Sequence, residues 1–355
     1  MTDSATLWQQ LQLAGLVTGE LPATQAEQQP AFFLRMLLGV SGWLSAIFFT
    51  AFISAAFISV ASTASTIWMI GVILCALSIG ISRITHLPIL AGQFVFACSL
   101  AGQAQIIFGV IESTDNYQLV AAVLLALEIL MFFLIGIRSQ RSVAIFIACG
   151  AALWLLGQQT WIYALPALSA AAGWLWLNRL RWYKHASYLQ PASTGLTLAL
   201  WLTIVLVLLI NSTELSWLNI NQATWQARLW VAAVLTSLVC LVLAWQLIQQ
   251  NVQHIQLRYI AIGGSLGLAL LNLKMLGLAP LCLLLCIGIA QAHTRLIWLN
   301  LCCLVGYLML YYYSLNNSLL YKSILLCISG AVLLVLYGVL SRYTRNLTAK
   351  ADDYA

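Results

Sequence analysis

Apolar residues run along this chain in long blocks separated by short polar breaks. Twelve blocks lie at approximately 32–60, 65–82, 88–111, 117–137, 142–159, 160–178, 194–211, 227–248, 259–277, 278–293, 295–313 and 319–341. A helix needs about 20 residues to cross the hydrocarbon core of a bilayer, where lipid offers its backbone no hydrogen-bond partner and the helix must supply them all. The pattern therefore predicts an all-α fold, a polytopic membrane helix bundle of about twelve transmembrane helices. The fifth and sixth blocks nearly touch at Gln158-Gln159, and the ninth and tenth turn at Gly277-Leu278-Ala279-Pro280. Each of these pairs is a hairpin, so losing either one leaves the topology unchanged.

Residues 1–30 depart from the pattern. This stretch is Gln-rich, with Leu7, Trp8, Leu11 and Ala14 at helical spacing behind an N-cap at Ser4 and Gly15 placed to end the helix. A short amphipathic helix is expected, resting on the membrane surface or docking a partner. The segment has no basic start, and the apolar run after it is almost 30 residues long, so an uncleaved first span is expected and not a cleaved signal peptide. The expected organisation is a cytoplasmic segment at 1–30, a transmembrane bundle at 31–341 and a cytoplasmic tail at 342–355.

With 63% hydrophobic and 7% charged residues, the chain lacks the polar surface that a water-soluble protein of 355 residues needs. The bilayer is its expected environment. The few cations are distributed unevenly. Of 15 Lys and Arg residues, 12 fall in alternate loops: Arg35, Arg83, Arg138, Arg141, Arg179, Arg181, Lys184, Arg258, Arg295, Arg342, Arg345 and Lys350. By the positive-inside rule those loops and both termini are cytoplasmic. The same bias accounts for the net charge of +6 without nucleic acid, and no nucleic-acid partner is expected.

Aromatic residues agree with that orientation. Trp68, Tyr117, Trp161, Tyr163, Trp217, Trp225 and Tyr311 to Tyr313 fall at the expected outer interface, and Trp174, Trp176, Trp182, Tyr183, Tyr259 and Tyr343 at the inner one. All four histidines sit in or beside inner loops, so no buried histidine relay is expected. The nine cysteines lie in apolar runs and read as small hydrophobes. Cys282 and Cys286 share a helical face, but no His or carboxylate stands near them in sequence, so no metal site is expected.

Two charged residues fall inside the predicted spans. Glu128 lies near the middle of the fourth, where an ionised carboxylate costs about 2.5–3.5 kcal/mol on insertion scales. It is expected to face the protein interior, either as a proton or cation site or as a neutral acid hydrogen-bonded to a neighbouring helix. Lys274 lies about three residues from the outer end of the ninth span, near enough to snorkel. The depths of the two differ by about 10 Å at 1.5 Å per residue, which disfavours their pairing. Gln103 and Gln105 on the third span are expected hydrogen-bond partners for Glu128, and Asn272 stands on the ninth. Gln103-x-Gln105 and Asn272-x-Lys274 occupy similar positions in the third and ninth spans, as a six-plus-six repeat predicts. Gly263 and Gly267 form a small-xxx-small ridge expected to pack closely on another helix. There is no HExxH, no GxSxG, no pair of intramembrane aspartates and no Walker loop, so neither an enzyme, a bound cofactor nor an intrinsic ATPase is expected.

The stretch Arg35-Met36-Leu37-Leu38-Gly39-Val40-Ser41-Gly42-Trp43-Leu44-Ser45-Ala46-Ile47-Phe48-Phe49 resembles the opening span of a group of bacterial inner-membrane proteins classed as a domain of unknown function. Gly92-Gln93 through Ser99-Leu100-Ala101-Gly102-Gln103, and the Leu-rich segment ending Gly15-Leu16-Val17, share the likeness. In that group the gene often accompanies one for a membrane-anchored protein named for a GDYxxLxY motif. The resemblance implies a bacterial cytoplasmic membrane and a membrane-anchored protein partner, and it supplies no site residues. A likeness to major facilitator transporters fails at Ser82 to Pro88, which lacks that family's acidic residue and basic cluster. Two readings of function follow from the residues. One is a secondary transporter or permease using Glu128, and the other is a membrane assembly or scaffold protein engaging a partner.

Overall fold

The computed structural model describes residues 32–58, 64–84, 87–157, 160–179, 181–212, 222–251 and 255–314, together with Trp8, Gln12 and Leu13, which are helical. The expected last span at 319–341, the tail, and most of the N-terminal segment lie outside the described residues. From residue 32 onward the described residues form eleven α-helices and two single 3-10 turns, joined by short connections. In order they are α1 (Phe32–Ile58), α2 (Ala64–Ser82), α3 (Ile89–Ser113), α4 (Tyr117–Leu134), α5 (Arg138–Leu156), α6 (Ala164–Leu177), α7 (Ala186–Ser212), α8 (Gln222–Asn251), α9 (Ile255–Asn272), α10 (Leu278–Ala290) and α11 (Thr294–Ser314). The 3-10 turns, Trp161–Tyr163 and Tyr183–His185, lead into α6 and α7.

Eight helices carry stretches long and apolar enough to cross a membrane, on α1 to α5, α7, α8 and α11. The other three differ from the full spans expected. The apolar stretch Trp161–Leu177 is shorter, and α9 carries Gln256 and Arg258 in its first turn. α10 has 13 residues, which reach about 20 Å against a hydrocarbon core of about 30 Å. It is apolar on every side and buried over most of its length, from Leu278 to Gly288, as a core helix is. α10 packs against α6, α8, α9 and α11, and Leu281, Leu284 and Ile287 join the largest core cluster with Leu165, Leu200, Ile204 and Leu243.

The first part of the bundle is built differently. α3 lies between α1 and α2, α4 pairs with α5, and α5 links this part to the rest by packing on α7. The side chains of Phe33, Phe48 and Phe52 on α1 are exposed, as lipid-facing rings are. Trp176 and Trp225, expected in the interfacial belts, are core residues instead. Trp176 donates Nε1–H to Thr197 Oγ1 at 3.0 Å, and Trp225 packs on Trp161 at 5.8 Å between ring centroids. An indole that finds an acceptor inside the bundle gains nothing from the headgroup layer.

Helix ends follow the side chains available there. Asn116 caps α4 by accepting from the backbone N–H of Gln118 at 3.0 Å and Leu119 at 3.2 Å. Gly263 and Gly267, expected to pack closely, face open space among the described residues, where an added Cβ would meet nothing within 4 Å.

Candidate functional site

The candidate site forms where α2, α3, α4 and α5 meet. Gly71 on α2 and Gly102 on α3 let these two backbones touch. One helical turn away the contact brings Cys75 Sγ–H to the carbonyl oxygen of Ser99 at 3.8 Å. The Ser99 hydroxyl, buried completely, accepts from Gln103 Nε2 at 3.4 Å on its own helix and from Gln140 Nε2 on α5. Glu128 enters from α4 with 1% of its surface exposed and lies within electrostatic reach of Cys75. Met131, one turn along α4, packs with Cys75, Ile106 and Ile135 to close the cluster on one side.

The hydrogen-bond inventory of this cluster is lopsided. Among the described residues, both carboxyl oxygens of Glu128, Oε1 of Gln103 and Oε1 of Gln140 are buried and find no hydrogen-bond partner. All four are acceptors. Buried polar groups are nearly always paired, because each one left unpaired costs about 1–3 kcal/mol and a charged one more. A set of buried oxygens left unpaired suits either of two guests. A proton on Glu128 converts one of its acceptors into a donor, and a small hard cation takes oxygen ligands directly.

The sequence-predicted residues separate into two places. Glu128 and Gln103 belong to this cluster, although the hydrogen bond expected between them is not made. Gln105, two residues on, lies about 200° around the helix axis from Gln103 and is half-buried on another face. Asn272 is the last residue of α9 and is fully buried far along the chain from this cluster. Its Nδ2 donates to the Ala233 carbonyl at 3.4 Å and to Ser237 Oγ at 3.1 Å, while its Oδ1 accepts from the N–H of Gly277 at 3.0 Å and Ala279 at 3.3 Å. It ties α8, α9 and α10 together. Lys274 falls in the turn beyond α9 and not inside a span, exposed, with Nζ 5.6 Å from the centroid of the Trp230 ring. Gln103 in mid-helix and Asn272 at a helix end are therefore not equivalent positions, contrary to the repeat expected.

Ser99, Cys75 and Gln140 complete the site and were not singled out from sequence. Gln140 reads as a loop residue only if α5 starts at 142; the structure starts it at Arg138. A signal existed, since Gln140, Ala144, Ala148 and Ala151 form one buried face at helical spacing. Arg141 beside it is buried, donating Nε–H to the Ile135 carbonyl at 2.7 Å and an Nη1 hydrogen to the Ser187 carbonyl at 3.0 Å, with its cation 4.2 Å from the Tyr188 ring centroid. Among the described residues, no group of three or more His, Cys, Asp or Glu is placed to hold a metal.

Eight long apolar helices with a polar cluster enclosed among four of them are the make-up of a multi-pass membrane protein. The chain belongs to the family described as Domain of unknown function (DUF4401), whose family model matches residues 31–343. Neither a curated protein nor a solved structure matches the chain.

Proposed function

We propose that the protein is a secondary transporter, and not an enzyme, in which Glu128 loads and releases a proton or a small hard cation. The supporting observation is the set of four unpaired buried oxygens on Glu128, Gln103 and Gln140. An ionised Glu128 alone in this place is unfavourable, so a conformational cycle that closes around it favours the loaded form. Two cavities of about 510 and 470 Å³ lie elsewhere in the bundle, and Glu128 lines neither.

The proposal places the protein in a bacterial cytoplasmic membrane with about twelve spans and both termini cytoplasmic. Reporter fusions at Gln190 and after Lys350 then read cytoplasmic and one at Asn221 periplasmic; the opposite readings at Gln190 and Asn221 overturn the orientation.

Proton and sodium flux into proteoliposomes tests the function. Glu128→Gln keeps shape and neutral hydrogen bonding but has no charge to cycle, and is expected to remain folded and abolish flux. Glu128→Leu removes two unpaired oxygens and strands no partner, so it too should fold and be inactive. Flux retained at full rate in the Gln variant makes Glu128 structural and removes it from the mechanism, whereas no flux in wild type overturns the transporter reading and leaves a scaffold that engages a membrane-anchored partner.

A further inference from the structure

A second polar recess, of about 470 Å³, opens at the basic end of the bundle, on the far side of α5 from Glu128. It is formed by the start of α5, the end of α6, the first half of α7 and the turn between α10 and α11. Three arginines line it, Arg138, Arg179 and Arg295, with His293 in the turn between α10 and α11. Hydroxyl and amide groups of Ser142, Thr194 and Gln190 make up its polar wall, and Ser142 Oγ and Thr194 Oγ1 lie 2.6 Å apart.

Among the described residues, no carboxylate is within ion-pair distance of these cations. The described acidic residues are Glu112 on α3, Asp115 in the turn after it and Glu128 on α4. Arg138 and Arg295 also stand in the first turns of α5 and α11, where the helix dipole repels a cation and where no acidic residue is present. The positive-inside rule explains why basic residues are on this side, but not why three of them converge on one recess at unfavourable helix ends. Two of the arginines also act on the histidine: burial lowers the pKa of His293, and the Arg179 and Arg295 cations lower it further. Neutral His293 accepts the backbone N–H of Leu296 on Nδ1 at 3.2 Å and contributes no positive charge of its own.

The recess is amphiphilic. Its other wall is Leu198, Trp201 and Leu299, and Leu198 and Leu299 are exposed on the flank that an apolar block presents to lipid. A free anion would use only the arginines. A phosphate carrying an acyl chain would use both walls.

We infer that this recess binds a phosphate group presented by an anionic phospholipid, with the phosphate between Arg138, Arg179 and Arg295 and an acyl chain along Leu198 and Leu299. Basic pockets between membrane helices recognise lipid headgroups by this combination of charge and apolar length. The phosphate has the bidentate geometry that a guanidinium matches.

The test is native mass spectrometry of the full chain, purified in detergent and offered dioleoyl phosphatidylglycerol, dioleoyl phosphatidylcholine or inorganic phosphate. Wild type is expected to retain phosphatidylglycerol over phosphatidylcholine, and Arg295→Gln to weaken that retention by about fivefold, with Arg179→Gln adding a similar factor. Arg295 is exposed, so its variant keeps the fold, which its melting temperature checks. Equal retention of both lipids overturns the inference, as does unchanged retention in the double variant. Displacement of phosphatidylglycerol by millimolar inorganic phosphate would show a free-anion site and overturn the lipid assignment.

Discussion

Gly71 on α2 and Gly102 on α3 lie back to back: a Cβ on Gly71 would stand 2.5 Å from the Gly102 carbonyl oxygen, and one on Gly102 would stand 2.8 Å from the Gly71 carbonyl oxygen and 2.9 Å from Cys75 Sγ. Backbone is what each would strike, so neither clash can be relieved by a side-chain rotation. The contact sets the spacing of α2 and α3 and, one turn away, brings Cys75 to Ser99.

Gly71→Ala and Gly102→Ala should each force the helices apart, at a cost of about 1–3 kcal/mol. Gly150→Ala on α5, where an added Cβ meets nothing within 4 Å, serves as the contrast and should be neutral or stabilising, because Gly is the poorer helix former by about 1 kcal/mol. Thermal unfolding in detergent distinguishes them. Equal melting temperatures for all three variants would contradict the close approach.

Arg141 answers a defect made by Pro191. A proline within α7 has no N–H to give, which leaves the carbonyl four residues earlier, Ser187, without its helical donor. Arg141 Nη1 fills that place while Nε–H satisfies Ile135 at the end of α4. Arg141→Lys keeps the charge but has no planar fork to serve both carbonyls, and should destabilise by about 1.5–3 kcal/mol, the range for one lost hydrogen bond to a charged group. Pro191→Ala in the same background should recover part of the loss, since the alanine restores a backbone N–H that can bond to the Ser187 carbonyl. No recovery would mean that Ser187 is not the carbonyl at issue.

His293 predicts an acid sensitivity. Its folded pKa is lowered from 6.5, first by burial, then by Arg179 and, with its own backbone hydrogen bond acting the other way, by Arg295. The folded state thus binds fewer protons than the unfolded one. Its contribution to stability is present above about pH 6.5 and is lost as the pH falls toward the folded value. His293→Asn retains an acceptor for the Leu296 N–H and does not titrate. Melting temperatures taken from about pH 7.5 to about pH 5 should therefore fall more steeply for wild type than for this variant. Parallel curves would remove His293 from the explanation.

How legible each part was depended on whether a single segment carried the signal. Apolar block length is local, and every block expected between 32 and 313 coincides with a helix. Boundaries failed where tertiary partners decide them. α5 begins four residues before its apolar block because Gln140 finds an acceptor on α3 and Arg141 one on α7, and α9 stops at Asn272 because that side chain bonds to the turn that follows. Glu128 was legible as a lone carboxylate in an apolar run. Ser99, Cys75 and Gln140 were not, since a serine or cysteine in an apolar helix looks like packing until a neighbouring helix supplies its partner. Trp176 and Trp225 were misplaced for the same reason, their interior contacts being invisible one segment at a time.

Whether Glu128 exchanges its guest with the solution is measured most directly by infrared difference spectroscopy of the reconstituted protein, with wild type set against Glu128→Gln while pH or sodium is varied. A carboxyl carbonyl band that changes with bulk pH or sodium, and is missing in the Gln variant, is the expected result. A band assigned to Glu128 by its loss in the variant, yet constant across pH and sodium, would show a carboxyl sealed in one state and contradict its role as a loading site.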